Sequence, residues 1–401
     1  MAILKILIVE DSELVSDILT EALEGDKQVT VVGVARNGVE ALEMVPRLNP
    51  DLITMDVWMP IMDGFATVER VMADFPTPIL VITSSSLKAN VQLSLRMLAA
   101  GALDVIEKPS FQDESQWERH RADLIAKVQM LAGIKVVTHL RGKKSRPDST
   151  LNPNAMPTRV AKLPLVLPQA YDIRNEDKAT KPLITPRPLL AKKPDLQSAT
   201  PNRVVPTFPP VPRYQVIAIA SSTGGPSALL TILQALPPNL PVAVLVVQHI
   251  SQGFTQGLVE WLQREIRLKV RIAADHDKLT PGQIFVAPDR RNLTVKGVTP
   301  QLVLNDDGDN FSRPSADAML SSVAQAFGER AIGIVLTGMG SDGAQGLKEM
   351  ALRGAYTITQ DEATSLIFGM PKAAIDNRAA RQVLPLGQIA GTLVQLLQLP
   401  A

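Results

Sequence analysis

The 401-residue chain has no cysteine. Disulfides, thiol nucleophiles and cysteine-ligated metals are therefore excluded. Aromatic residues are scarce at 4%, and there are only four histidines to draw on for acid–base work. No stretch approaches the ~18 uninterrupted apolar residues of a membrane span, so no membrane insertion is expected. The opening MAILKILIVEDSE soon reaches acidic residues. It reads as a buried strand and not as a signal peptide, which needs a basic start and a small-residue cleavage site. These absences together point to the cytoplasm.

Net charge is also nearly lacking, at +1, but its distribution is uneven. Between Arg141 and Arg213 there are 14 Lys and Arg against 5 Asp and Glu, so the remainder of the chain is net acidic. A basic span of this kind can attract nucleic acid or an anionic membrane. Only Tyr171 and Phe208 interrupt it, too few for base stacking, and no helix-turn-helix follows. A solvated basic linker is the simpler reading, and nucleic acid is not an expected partner. The same span holds 14 of the 31 prolines. Proline fixes φ and removes a backbone donor, so no regular element can propagate there. Residues 131–213 are expected to form a flexible linker between two domains, 1–130 and 214–401.

What is present on either side is alternation. ILKILIVE, VTVVGVA, DLITMD, PILVITS and ALDVIEKP are short, nearly all-apolar runs separated by amphipathic segments. Continuous apolar runs imply strands buried on both faces, hence a parallel sheet covered by helices. The first domain is therefore expected to be a flavodoxin-like (βα)5 unit. After Tyr214 the pattern resumes with YQVIAIA, PVAVLVVQ, KVRIAA, QIFVAP, LTVKG, LVLN, AIGIVLTG and YTITQ. This predicts a second, doubly wound, mostly parallel α/β domain, with a hairpin around 284–304.

In open α/β sheets, ligands sit beyond the carboxyl ends of the strands. In the first domain Glu10 and Asp11 follow strand one and Asp56 follows strand three. Three crowded carboxylates need a counter-cation, and a hard, oxygen-liganded Mg2+ is the natural choice. Thr83 ends strand four and can hydrogen-bond a phosphoryl oxygen. Lys108, in the phrase EKP after strand five, can pair with its charge. Asp56 alone could as well be a helix cap; the set at successive strand ends is what points to phosphoryl transfer.

The second domain repeats the pattern with different chemistry. YQVIAIA runs into Ser221-Ser222-Thr223-Gly224-Gly225-Pro226 and then a helix, so a serine sits near free helix N–H groups. A helix cap or an anion-binding loop would use the same residues. PVAVLVVQ ends at His249, the best placed of the four histidines to act as a general base, although a lone strand-end histidine is usually structural. His276, among acids in a turn, reads as a surface residue. AIGIVLTGMGSDGA ends in a glycine-rich turn carrying Asp342, which can orient His249 or merely stabilise its own backbone. Together the three favour a Ser-His-Asp site.

The phrase MDVWMPIMDG resembles the phosphoacceptor loop of two-component receivers. By that resemblance Asp56 is the phosphorylated residue, with Glu10, Asp11 and the Trp58 carbonyl around Mg2+. SSTGGP, QHISQGFT and LTGMGSDGA resemble, in order, the active-site segments of the CheB-type protein-glutamate methylesterases. The resemblance covers 1–130 and about 214–398, and it selects Ser222 as nucleophile, His249 as base and Asp342 as orienter. Thr223 and Met339 lie nearby as hydroxyl and backbone N–H support. It implies hydrolysis of glutamate γ-methyl esters, and deamidation of certain glutamines, on the cytoplasmic helices of chemoreceptors. It also implies a chemotaxis-type histidine kinase as phosphodonor and no cofactor for the esterase itself.

Two features depart from that pattern. Ser221 stands where the family often has a small apolar residue. The linker is also far longer than a short hinge, which lowers the effective concentration for receiver docking only gradually. The competing expectations are an esterase acting outside chemotaxis, or a regulator whose second half binds a partner or nucleotide at SSTGG without catalysis.

Overall fold

The computed structural model describes residues 3–84, 88–108, 114–134, 136, 214–297, 300–307 and 313–399. The proline-rich span expected to be a linker lies almost wholly outside the described residues.

The first domain alternates β1 (Leu4–Val9), α1 (Glu13–Glu24), β2 (Val29–Ala35), α2 (Gly38–Leu48), β3 (Leu52–Met55), α3 (Gly64–Asp74), β4 (Ile79–Thr83), α4 (Lys88–Ala99), β5 (Asp104–Glu107) and α5 (Glu114–Leu131). Its sheet has the order β2-β1-β3-β4-β5, and each pair is parallel. The flavodoxin-like expectation holds. Helix starts follow local chemistry. Asn37 accepts from the Val39 and Glu40 amides to cap α2, and Asp63 accepts from Ala66 N to cap α3. Residues β3 and β4 contribute are buried throughout, as strands covered on both faces must be.

The second domain continues with β6 (Val216–Ser221), α6 (Gly225–Gln234), β7 (Ala243–Gln248), α7 (Thr255–Glu265), β8 (Lys269–Ile272), β9 (Gln283–Val286), β10 (Asn292–Lys296) and β11 (Gln301–Asn305). It ends with α8 (Ala316–Phe327), β12 (Ala331–Val335), α9 (Ala344–Leu352), β13 (Tyr356–Gln360), α10 (Met370–Asp376), β14 (Gln382–Leu384) and α11 (Leu386–Leu396). Seven strands form one sheet, β14-β13-β12-β6-β7-β9-β8, parallel at every pairing. The chain starts at β6, winds outward through β7, then returns to build β12, β13 and β14 on the other side. The reversal at β6 opens a crevice at the carboxyl ends of β6, β7 and β12.

The hairpin differs from expectation. Gln283–Val286 is a parallel strand of the large sheet, whereas the antiparallel pair is β10 with β11, from Asn292 to Asn305, and stands as a separate ribbon. The buried run IFV belongs between two parallel neighbours, while β11 alternates buried and half-buried residues as a one-face ribbon does.

The two domains pack together. Helix α4 lies against α7, where Gly257 lets it come close: a Cβ there would sit 2.2 Å from Val91 Cγ1. Gln92 Nε2 donates to Glu260 Oε2 across the same contact at 2.8 Å. Apolar residues of both domains, including Val91, Leu95 and Leu258, join one buried cluster.

Candidate active site and phosphoacceptor pocket

The acidic pocket forms where the strand ends predict. Ligand oxygens of Glu10, Asp11 and Asp56 lie within 4.8 Å of one another. Glu10 and Asp56 are 1% and 7% exposed, and Asp11 is open to solvent. Lys108 Nζ bridges the two buried carboxylates, at 2.8 Å from Glu10 Oε2 and 2.9 Å from Asp56 Oδ2. Burial, reinforced by Asp56, raises the Glu10 carboxyl above its ordinary range despite Lys108. Burial likewise raises Asp56, against the opposing pull of Lys108 and the Val57 amide. Burial disfavours the Lys108 ammonium, yet Asp56 and Glu10 outweigh it and hold its pKa up. Three carboxylates against one ammonium leave about two negative charges, which fits a divalent cation on oxygen ligands. Thr83 is buried at the end of β4, and its carbonyl accepts the Lys108 amide at 2.9 Å, tying the two strand ends together. Trp58, two residues beyond Asp56, is exposed.

At the second crevice, β6 delivers two consecutive serines to different environments. Ser221 is fully buried and its hydroxyl donates to Gln248 Oε1 at 2.6 Å. Ser222 instead lines a cavity of about 590 Å3 together with His249, Arg313, Pro314 and Met339. Its amide donates to Thr337 O at 3.0 Å, pinning it to the residues after β12. Helix α6 begins just beyond, with Gly224 as a left-handed N-cap that supplies no side-chain acceptor. Gly225 gives its N–H to the Ser222 carbonyl at 2.7 Å and Pro226 has none, so it is the helix dipole that draws negative charge to this end.

His249 Nε2 lies 2.9 Å from Asp342 Oδ2 and 3.0 Å from the Pro314 carbonyl. Both neighbours accept, so Nε2 carries the proton and Nδ1 is the nitrogen left to receive one. Asp342 is held from behind. Its carboxylate accepts the Ala316 and Asp317 amides, each at 2.8 Å, and the Ser315 hydroxyl at 3.2 Å, thereby capping α8 from another loop. Asp317 returns the favour by accepting the Gly346 amide of α9 at 2.6 Å. Burial alone would raise the Asp342 carboxyl, but the His249 bond and the α8 amides dominate and hold it below its ordinary range. A carboxylate kept ionised against an imidazole N–H stabilises the imidazolium that forms when that base takes a proton.

Receiver residues close over the same cavity. Ile106 and Glu107 of β5, with His120, Asp123 and Lys127 of α5, line it opposite Ser222. The Thr223 hydroxyl donates to Asp104 Oδ2 at 2.9 Å, and Lys127 pairs with that same carboxylate. Met339 is half exposed on the cavity wall.

The structure thus brings Ser222, His249, Asp342 and Met339 to one crevice, and Glu10, Asp11, Asp56 and Lys108 to another. Thr223 adjoins the first, with its hydroxyl turned to Asp104. Sequence reasoning passed over Gln248, Asp104, Lys127 and the Ser315–Asp317 turn. Only Ser315 carried a local signal, a helix N-cap type ahead of an apolar run.

A (βα)5 receiver packed over the strand-end crevice of a parallel α/β domain, with a serine, a histidine and an aspartate at that crevice, is the layout of a receiver-linked hydrolase. The CheB methylesterase family matches residues 217–393, and the response regulator receiver domain matches residues 6–116. A protein-glutamate methylesterase/protein-glutamine glutaminase of Syntrophus aciditrophicus is 38% identical over 98% of this chain and 98% of its own length. One from Myxococcus xanthus is 36% identical over 97% of this chain and 96% of its own length. Among solved structures, the Thermotoga maritima CheB methylesterase catalytic domain is 35% identical, covering 46% of this chain and 98% of that one, with a TM-score of 0.45. The chain belongs to the CheB family of receiver-regulated protein-glutamate methylesterases/protein-glutamine glutaminases.

Proposed function

We propose that Ser222, His249 and Asp342 are the nucleophile, base and orienting carboxylate of this esterase, and that its substrates are methylated glutamates and certain glutamines on chemoreceptor cytoplasmic helices. Ser222 Oγ attacks the ester carbonyl while its proton passes to His249 Nδ1. In this reading the Met339 backbone N–H and the positive end of the α6 dipole stabilise the oxyanion. Collapse expels the methoxy group, which takes the proton from His249 and leaves as methanol; a glutamine substrate releases ammonia in the same step. Water then gives a proton to His249 and attacks the acyl carbonyl; the bond to Ser222 Oγ breaks, Oγ takes that proton from His249, and the glutamate carboxyl is freed. The observation that carries this reading is the single cavity lined by Ser222 and His249, with His249 held 2.9 Å from Asp342.

Control lies in the receiver, which spans 1–130 in this reading, with 131–213 as linker and 214–401 as the catalytic domain. Asp56 accepts a phosphoryl group from a chemotaxis-type histidine kinase in the cytoplasm. Glu10, Asp11 and Asp56, with the Trp58 carbonyl, would hold Mg2+, which when bound neutralises the transferred oxygens. Lys108 and Thr83 then engage the phosphoryl group, and the receiver withdraws from the cavity.

Methanol release from methylated receptor membranes tests this reading. Ser222→Ala is expected to lose at least ~10³-fold in rate. Equal rates for the two proteins would rule the triad out.

A further inference from the structure

The two loops that carry the nucleophile and the base are joined by one buried side chain outside the triad. Gln248 closes β7, is 4% exposed and faces Ser221 across the β6–β7 pairing. Its amide is fully engaged. Oε1 accepts the Ser221 hydroxyl at 2.6 Å, while Nε2 donates to the Ser222 carbonyl at 2.8 Å and to the His249 carbonyl at 2.7 Å. The orientation is forced, because a flipped amide would set Oε1 against two carbonyl oxygens. Gly225 completes the fit: a Cβ there would lie 2.0 Å from Gln248 Oε1.

We propose that Gln248 is a further positioning residue of the site, a buried clamp whose two N–H groups set the Ser222–His249 geometry from behind. This rests on the reading that Ser222 and His249 act as a pair. Beyond the last rung of the β6–β7 ladder, where His249 N donates to Ser221 O at 2.9 Å, the two chains diverge into separate loops. Gln248 extends the ladder by one side-chain rung at the point of divergence. It thereby fixes the peptide planes of both functional residues at once. Ser221 holds the clamp in register by giving Oε1 its donor. That is a use for a hydroxyl at a position where an apolar residue would leave the amide oxygen bare.

The clamp acts on geometry and touches no substrate, so its loss falls on turnover. Displacing a reacting pair by about 1 Å can cost ~10²-fold. In the full-length protein under phosphodonor activation, Gln248→Met is expected to lower kcat for methanol release by ~10²-fold with KM nearly unchanged. Gln248→Glu keeps the acceptor for Ser221 but loses both donors, and covers the case in which Gln248→Met does not fold. A carboxyl buried against carbonyl oxygens is protonated more readily than usual, and the protonated form regains one donor. The kcat ratio of Gln248→Glu to wild type is therefore expected to rise as pH is lowered, a signature that simple loss of stability does not produce. Ser222→Ala assayed alongside separates failure of the clamp from failure of the triad itself. Wild-type kcat in folded Gln248→Met, a loss confined to KM, or a pH-independent kcat ratio for Gln248→Glu would overturn the proposal.

Discussion

The Thr223 hydroxyl donates to the Asp104 carboxylate at 2.9 Å, joining the residue after the candidate nucleophile to the first residue of the receiver's last strand. Lys127 pairs with the same Oδ2 oxygen, so the Thr223 bond goes to an ionised carboxylate within a packed domain contact.

Removing this bond is expected to loosen the closed state. A hydrogen bond to a charged group contributes about 1.5–3 kcal/mol. Asp104→Ala is therefore expected to raise the esterase rate of the unphosphorylated protein by roughly 10-fold. The rise should persist in an Asp56→Asn background. An unchanged basal rate would remove Thr223–Asp104 from the gating account.

Asp56→Asn is expected to abolish activation by a small-molecule phosphodonor. It should also stabilise the metal-free protein. Burial raises the folded-state pKa of both Glu10 and Asp56 above their unfolded values, so the folded state binds protons more tightly. Stability is thus lost as pH rises from the unfolded carboxylate pKa through the raised folded values. The melting-temperature gain of Asp56→Asn over wild type, in chelator, is expected to grow across that window. Added Mg2+ should shrink the gain by stabilising wild type. A gain that falls with rising pH would contradict the account.

Asp342→Asn leaves the shape of the carboxylate but removes its charge. A decrease in kcat of ~10²–10⁴-fold is expected, because the His249 imidazolium loses its partner. The cost to stability is about 1 kcal/mol through the weakened α8 cap. Asp342 is depressed in the folded state, so its contribution to stability is complete above the ordinary carboxylate pKa of 3.8 and disappears as pH falls through the lower folded value. The melting temperatures of wild type and Asp342→Asn should therefore draw together as pH falls from 3.8 through that lower value, and a gap that stays constant would contradict the account.

Much of this architecture was legible because the parallel strands are short, wholly apolar and followed at once by chemistry-bearing residues. YQVIAIA into SSTGGP and PVAVLVVQ into His249 each announce a strand and its functional end. The β9–β11 region was read less well. The run QIFVAP carries no mark distinguishing a hairpin partner from a parallel strand, because its neighbour β7 lies about forty residues back in the chain and only tertiary packing chooses between them. Gln248 was passed over for a related reason. A glutamine at the end of an apolar strand usually marks the return to solvent, and nothing local shows that Ser221, Ser222 and His249 converge on it. Asp104 and Lys127 were invisible because their role exists only where two domains meet.

The central claim is that, of two adjacent serines, Ser222 is the nucleophile, and covalent labelling tests it most directly. The full-length protein, activated by phosphodonor, is treated with a serine-directed phosphonate and the labelled peptide is sequenced by mass spectrometry. The account predicts one adduct on Ser222, absent when His249 is changed to Ala. An adduct on Ser221, whose hydroxyl is buried against Gln248, or labelling that does not depend on His249, would contradict it.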